Sequence, residues 1–290
     1  MKIGFVGLGN MGAPMAARLA ADGHAVTGFD PVATAPDGVV AAGSAAQAAQ
    51  GAECVVTMLP DGDSLRRVAA EIHPAMETGA VHIDCSTVDV ASAREVAAGA
   101  QAAGLAALDA PVSGGTAGAA AGTLTFMVGG PEAAFDRARP LFEAMGQRAV
   151  QCGGAGTGQA AKLCNNMILG ATMAVTCEAF VLADALGLDR AALYDVAATS
   201  SGASWSLTSY CPAPGVGPVS PADRDYAPGF AAELMLKDLS LAVEAAAARG
   251  APVPTGAGAA DLFAEFVVHG GGRGRDFSAL LEWFRAQRED

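Results

Sequence analysis

The chain has 290 residues, room for two domains of ordinary size, and 52% of them are hydrophobic, which supplies a large core. Only 6% are aromatic, and a core of Ala, Val and Leu suits helices packed on a parallel sheet better than an aromatic-rich sandwich. A net charge of -13 opposes nucleic acid and anionic membrane surfaces as partners, because both would be repelled.

In chain order, the first element is the apolar run Ile3-Gly4-Phe5-Val6, which reads as a strand and leads into Gly7-Leu8-Gly9-Asn10-Met11-Gly12 and then a helical pattern. Strand, glycine turn and helix in that order make a dinucleotide grip. Gly7 ends the strand in a tight turn, Gly9 lets main-chain N–H groups approach a pyrophosphate, and Gly12 lets the helix lie close on the strand. The helix N-terminus faces the phosphates. Pro14 stands in its first turn, Met11, Met15 and Leu19 recur at helical spacing, and Gly23 closes it as a left-handed cap. The next strand, Ala25 to Phe29, ends at Asp30, where a carboxylate can accept hydrogen bonds from an adenosine ribose. NAD is therefore expected rather than NADP: Asp30 would repel a 2'-phosphate, and Pro31, Val32 and Ala33 offer no cation to hold one.

Further strands are read at Cys54 to Leu59, Ala80 to Asp84 and Ala107 to Val112, separated by Ala-rich helical segments. The alternation predicts an α/β fold with a doubly wound, Rossmann-type parallel sheet, whose ligands bind at the C-terminal strand ends. The loops to watch are then Pro60 to Ser64, Cys85 to Val88 and Ser113 to Gly122. Strands at Leu124 to Val128 and near Arg148 to Cys152, with a helix from Pro131 to Met145 between them, extend the sheet at one side. Gln159 to Leu186 reads as one long bridging helix, and Asp189 caps the next of several helices running to the C-terminus. The expected domains are 1–157, dinucleotide-binding, and 158–290, all-helical. Ser200 to Gly229, rich in Pro, Gly and Ser, is the one long irregular segment expected, serving as a functional loop or a subunit contact.

Six cysteines (Cys54, Cys85, Cys152, Cys164, Cys177 and Cys211) form no C-x-x-C pair and lack histidines at metal-ligand spacing. They read as reduced thiols, and no metal site is expected; His24 reads as a structural residue. No basic leader, Arg-rich presequence or apolar stretch of membrane-spanning length is read, so the expectation is a cytoplasmic protein with no membrane partner.

Three places carry candidate chemistry. Lys162 and Asn166, four apart near the start of the long helix, share one face at the seam between the expected domains. Leu163, Met167, Ile168 and Leu169 leave little there to solvate an ammonium. A desolvated lysine suits proton exchange with a carbonyl or hydroxyl oxygen near neutral pH, although a helix-start lysine is more commonly a surface charge. Lys237 falls between Leu234 and Leu241 at helical spacing, where a core residue is expected, so Asp238, Asp261 or an anionic ligand should lie near it. Ser113-Gly114-Gly115 ends a strand and reads either as a cradle for a carboxylate or as a plain tight turn.

Four segments give the chain a resemblance to the β-hydroxyacid dehydrogenase family over essentially its full length. They are Gly7 to Met15, Asp109-Ala110-Pro111-Val112-Ser113-Gly114-Gly115, Gly156-Thr157-Gly158-Gln159-Ala160-Ala161-Lys162-Leu163-Cys164-Asn165-Asn166, and Lys237-Asp238-Leu239. Thr123 to Gly130, with Ser200-Ser201-Gly202, Trp205-Ser206 and Pro212 to Gly215, is similar to its hydroxyisobutyrate branch. The resemblance implies NAD-dependent oxidation of 3-hydroxyisobutyrate to methylmalonate semialdehyde, in valine breakdown. Lys162 would be the acid/base, with Asn166 helping to hold the substrate oxygen and Ser113, Gly114 and Gly115 binding the carboxylate. Lys237 would touch cofactor and substrate. Leu59 and Pro60 would lie over the adenosine side, Ser64 at a polar cofactor contact, and Thr87 beside the nicotinamide. The sequence departs from the family pattern at Val90, where a proline is usual, and at Cys211, where the branch often has asparagine. The rival readings are a reductase of tartronate, glyoxylate or succinic semialdehyde and a non-catalytic dinucleotide-binding module. The apolar helical domain further suggests a homodimer or homotetramer.

Overall fold

The computed structural model describes residues 1–287 and resolves into two compact units, Met1–Lys162 and Leu163–Asp290. The division falls inside the long helix rather than at 157/158. The reason is local: the helix's first turns, through Gln159 and Lys162, are hydrogen-bonded to Asp109, Ser86 and Val112 of the first unit.

The first unit runs β1 (Lys2–Val6), α1 (Gly12–Ala21), β2 (Ala25–Phe29), β3 (Val39–Ala41), α2 (Ala45–Ala49), β4 (Cys54–Thr57), α3 (Gly62–Ile72), β5 (Val81–Asp84), α4 (Val90–Ala102) and β6 (Ala106–Asp109). It continues with β7 (Val112–Ser113), α5 (Gly115–Ala121), β8 (Leu124–Gly129), α6 (Glu132–Met145), β9 (Gly146–Gly153) and the start of α7 (Thr157–Leu186). The sheet order is β3-β2-β1-β4-β5-β6-β8-β7, with β9 beside β8. From β3 to β6 every pairing is parallel, with Ile3 opposite Val26 on one side and Cys54 on the other. Both faces are covered, as a doubly wound sheet requires. Phe5 and Val56 join Met15, Leu19 and Phe126 in one core cluster, while Val6 and Val55 join Ala48, Ala49 and Ile72 in another.

The expected parallel sheet is in fact mixed: β8 is antiparallel to both β6 and β7, and β9 is parallel to β8. The run Ala107 to Val112 breaks at Pro111, which has no N–H to donate, leaving two strands in place of one. The seven-residue α5 that follows is too short for the crossover a parallel return needs.

The second unit is helical. It holds the remainder of α7, α8 (Arg190–Ala198), α9 (Trp205–Thr208), α10 (Ala232–Ala247), α11 (Pro254–Val268) and α12 (Leu280–Ala286) around Met173, Cys177, Phe180, Met235, Leu239, Phe263, Phe266 and Phe277. Asp189 caps α8 by accepting from the Ala192 amide. The stretch from Ser200 to Gly229, expected to be irregular, contains α9 and a 3-10 turn at Pro221–Arg224 closed by a capping box of Ser220 and Asp223. It is tied down by Asp276, a fully buried carboxylate that accepts from Tyr210 Oη at 2.8 Å and from the amides of Gly229 and Phe230.

One expectation is overturned by α7. Its best 18-residue window has a mean hydropathy of 1.6, enough by length and composition to cross a membrane. Its buried positions, Met173, Ala174, Cys177 and Phe180, belong to the second unit's core, so packing accounts for that part of its apolar character.

Candidate active site

The three glycines of the first turn have different reasons to be there. Gly7 sits at φ +97°, and a Cβ there would strike the carbonyl of Met58. At Gly12 a Cβ would strike the carbonyl of Gly7, so the helix can approach β1 only without a side chain. Gly9 is exposed, and a Cβ on it would meet no protein atom within 4 Å. Packing explains the first and third glycines and leaves the second to an approaching ligand, which is the fit a pyrophosphate on the main chain requires. Leu8 is buried behind the turn, Asn10 is exposed, and Met11 is half-buried at the N-cap of α1.

Asp30 follows β2 directly, and its carboxylate ties back to the turn, accepting from the amide of Leu8 at 2.8 Å and from Val32 and Ala33 at 2.8 Å each. Burial opposes its ionisation, yet the amides of Ala33, Val32 and Leu8 together hold the carboxyl below its ordinary value. Three bonds leave a carboxylate with acceptor capacity for a ribose hydroxyl.

The next two loops are joined. The amide of Leu59 donates to Ser86 Oγ at 2.8 Å, and Ser86 Oγ donates to Asp84 Oδ1 at 2.6 Å. Pro60 is exposed beside Leu59, and Thr87 is half-buried beside Ser86. Ser64 lies inside α3, 9% exposed, with its hydroxyl accepting from Arg67 at 3.2 Å. Val90 stands as the first residue of α4, where Asp89 caps the helix by accepting from the Ser92 amide at 2.8 Å.

Lys162 is 7% exposed, and its Nζ donates to the carbonyl of Val112 at 2.8 Å. This places the amino group at the foot of the Ser113-Gly114-Gly115 turn. Gly114 and Gly115 both have positive φ, +129° and +61°, and Gly115 opens α5, so the turn takes a path that only glycines follow easily. One turn beyond Lys162 on α7, Asn166 is 2% exposed. It donates to Asp238 Oδ2 at 2.5 Å and accepts from Asn165 at 3.0 Å.

The core placement expected of Lys237 is corrected. The buried stripe of α10 is Ala232, Met235, Asp238, Leu239 and Ala242, whereas Lys237 is half-buried on the flank and Leu234 is 49% exposed. The charge that α10 buries is Asp238, and the Asn166 amide receives it.

Sequence reasoning passed over a buried polar chain behind these loops. Thr57 Oγ1 donates to Asp84 Oδ1 at 2.8 Å and lies 3.0 Å from His82 Nε2, whose other ring nitrogen is 3.0 Å from His73. Burial, with the charge of His73 added, pushes His82 down to about 3, and burial pushes Asp84 up to about 6. Also missed were Asp109, whose carboxylate accepts from the amides of Gly156 at 2.7 Å and Gln159 at 2.9 Å, and Gln159 itself. The available signal was a polar residue closing an apolar strand, at Asp84 and again at Asp109.

Two family models match the chain. One, described as the NAD binding domain of 6-phosphogluconate dehydrogenase, spans residues 2–154; the other, described as the NAD-binding of NADP-dependent 3-hydroxyisobutyrate dehydrogenase, spans 156–284. A solved structure of Mycobacterium tuberculosis 3-hydroxyisobutyrate dehydrogenase with L-serine is 48% identical, with a TM-score of 0.93 over 98% of each chain. Two Pseudomonas aeruginosa proteins are also similar. An NAD-dependent L-serine dehydrogenase is 48% identical over 98% of this chain and 97% of its own length, and a 3-hydroxyisobutyrate dehydrogenase is 46% identical over 98% and 99%. With matches of this extent over both units, the chain belongs to the 3-hydroxyisobutyrate dehydrogenase family of NAD-dependent hydroxyacid dehydrogenases.

Proposed function

We propose that the protein oxidises 3-hydroxyisobutyrate to methylmalonate semialdehyde, as a step in valine breakdown. The observation that carries this reading is the tether from Lys162 Nζ to the Val112 carbonyl, which fixes a buried amine beside the Ser113-Gly114-Gly115 turn. NAD would be held by the Gly7 to Gly12 turn and by Asp30, and when bound it would supply the hydride acceptor. Lys162 accepts the hydroxyl proton at Nζ as the carbon–oxygen double bond forms and the C–H bond breaks with its electron pair. Ser113, Gly114 and Gly115 hold the carboxylate, so the C–H bond is aimed rather than free to rotate. Leu59, Pro60, Ser64 and Thr87 are assigned to the cofactor, Asn166 to the substrate oxygen and Lys237 to cofactor and substrate.

A second reading has specific support, because a relative at 48% identity is named an L-serine dehydrogenase. L-Serine is also a β-hydroxy acid, with an ammonium where 3-hydroxyisobutyrate carries a methyl. An ammonium needs buried acceptors and a methyl needs apolar contact, so one site cannot serve both equally well. The deciding experiment measures kcat/KM for 3-hydroxyisobutyrate, L-serine and glyoxylate with NAD and with NADP. The expected result is the highest value for 3-hydroxyisobutyrate with NAD; a higher value for L-serine would move the assignment to the second reading.

We also propose a homodimer or homotetramer in the cytoplasm. The apolar side chains of Ile168, Val175, Leu182 and Leu186 on α7 are 57–74% exposed, a stripe that a second copy would cover. All six cysteines are free thiols, in keeping with a reducing compartment.

A further inference from the structure

Gln159 is fully buried three residues before Lys162, and its side-chain amide does the work of a neighbouring strand. Its Nε2 donates to the carbonyl of Ser86 at 2.8 Å, and its Oε1 accepts from the amide of Val88 at 3.1 Å. These two groups flank Thr87, and a parallel strand would bond the same pair, one residue before and one after. Only a side chain carrying both a donor and an acceptor can do this. The backbone of Gln159 is fixed in turn by Asp109, whose carboxylate takes the amides of Gln159 and Gly156. Gly158 lets the helix come this close: a Cβ there would strike the carbonyls of Met127 and Asp109. At the far end, Ser86 Oγ accepts from the amide of Leu59.

The helical turn bearing Lys162 is therefore hydrogen-bonded to both sides of Thr87, and on one side Ser86 carries the link on to Leu59. The loop leads directly into α4, whose first residue is Val90 and whose N-cap is Asp89.

We propose that Gln159 is a positioning residue for the reaction: its amide sets the Ser86–Val88 loop at a fixed distance from the helix that carries Lys162. The proposal rests on the functional reading above, in which Lys162 handles the proton and Thr87 lies beside the nicotinamide. The Gln159 side chain is itself fully buried, with its donor and acceptor spent on Ser86 and Val88. Its removal alters the aim of the reacting groups rather than their chemistry, and misplacement by about 1 Å costs on the order of a hundredfold in rate.

The test is Gln159→Leu, close in size and unable to form either bond, with Gln159→Glu as a second variant that keeps the acceptor for Val88 and loses the donor to Ser86. Single-turnover formation of NADH reads the chemical step, and fluorescence titration with NADH reads cofactor binding. The expected result is a single-turnover rate lower by about tenfold or more, with hydroxyacid KM and NADH affinity within about threefold of the wild type. A lower melting temperature with an unchanged single-turnover rate in either folded variant would reduce Gln159 to a structural role and overturn the proposal. Lys162→Ala, run alongside, separates the two claims. If it matches the wild type, the functional reading falls; if it is inactive while the Gln159 variants keep full rate, only the positioning role falls.

Discussion

The three glycines of the first turn are predicted to fail in different ways when each is replaced by alanine. At Gly7 an alanine would have to hold φ near +97°, a cost of about 1–2 kcal/mol, with its Cβ driven against the Met58 carbonyl. At Gly12 the Cβ meets the Gly7 carbonyl carbon at 2.9 Å and Phe5 Cε1 at 3.1 Å, an overpacking cost of about 1–3 kcal/mol with backbone on one side that cannot yield. At Gly9 no atom stands within 4 Å and φ is ordinary, so alanine should stabilise by about 0.4–1 kcal/mol through the unfolded chain. With about 2–4 °C of melting temperature per kcal/mol for a unit of this size, Gly7→Ala and Gly12→Ala should melt several degrees lower and Gly9→Ala should not. Ligand binding should reverse the ranking for Gly9→Ala. A methyl thrust against the pyrophosphate, at the same overpacking cost, weakens NADH by about tenfold or more. Differential scanning calorimetry and NADH fluorescence titration on the three variants check both halves. A Gly9→Ala protein that binds NADH like the wild type, or melts as low as Gly12→Ala, would refute the division of roles.

Two further perturbations test the buried carboxylates. Asp109→Asn keeps the volume but turns an NH2 toward one of the two amides it now receives, stranding a buried donor; urea unfolding should show a loss of about 2–3 kcal/mol, and an unchanged midpoint would contradict the anchoring of Gly156 and Gln159 by Asp109. Asp84, pushed up to about 6 by burial, holds its proton more tightly in the folded chain than in the unfolded one, so its contribution is present below about pH 4 and lost as pH rises through about 6. Asp84→Asn removes that loss while keeping the Oδ1 acceptor, so its stability relative to wild type should grow by about 2 kcal/mol between pH 4 and pH 7, whereas a constant difference in urea unfolding would show that the carboxyl titrates normally.

The parts of the fold legible in the sequence are those with a short-range cause. β2 runs from Ala25 to Phe29 as read, because Gly23 and Asp30 punctuate it, and α6 and α7 follow long helical patterns that persist across Pro140 and Gly170. β3 and β7, three and two residues long, are too short for any periodicity to mark, and their existence depends on the strands beside them. Hydropathy misplaces Lys237 for a related reason: leucines at 234 and 241 outweigh Met235 and Ala242, although the stripe that packs is the one containing Asp238. Asp238 can be buried because Asn166, 72 residues earlier, meets it. In the candidate site, Gly7, Gly12 and Asp30 lie in one local motif and were readable. Gln159 and Ser86 meet across 73 residues, and Lys162 and Val112 across 50, so no spacing rule announces either contact.

The proton-handling role of Lys162 is tested most directly by Lys162→Ala, with turnover of 3-hydroxyisobutyrate measured beside NADH fluorescence titration of the same preparation. The predicted result is loss of most of the turnover with NADH affinity preserved, because the glycine turn and Asp30 are untouched by the change. Turnover retained at the wild-type level would contradict the mechanism and remove Lys162 from it.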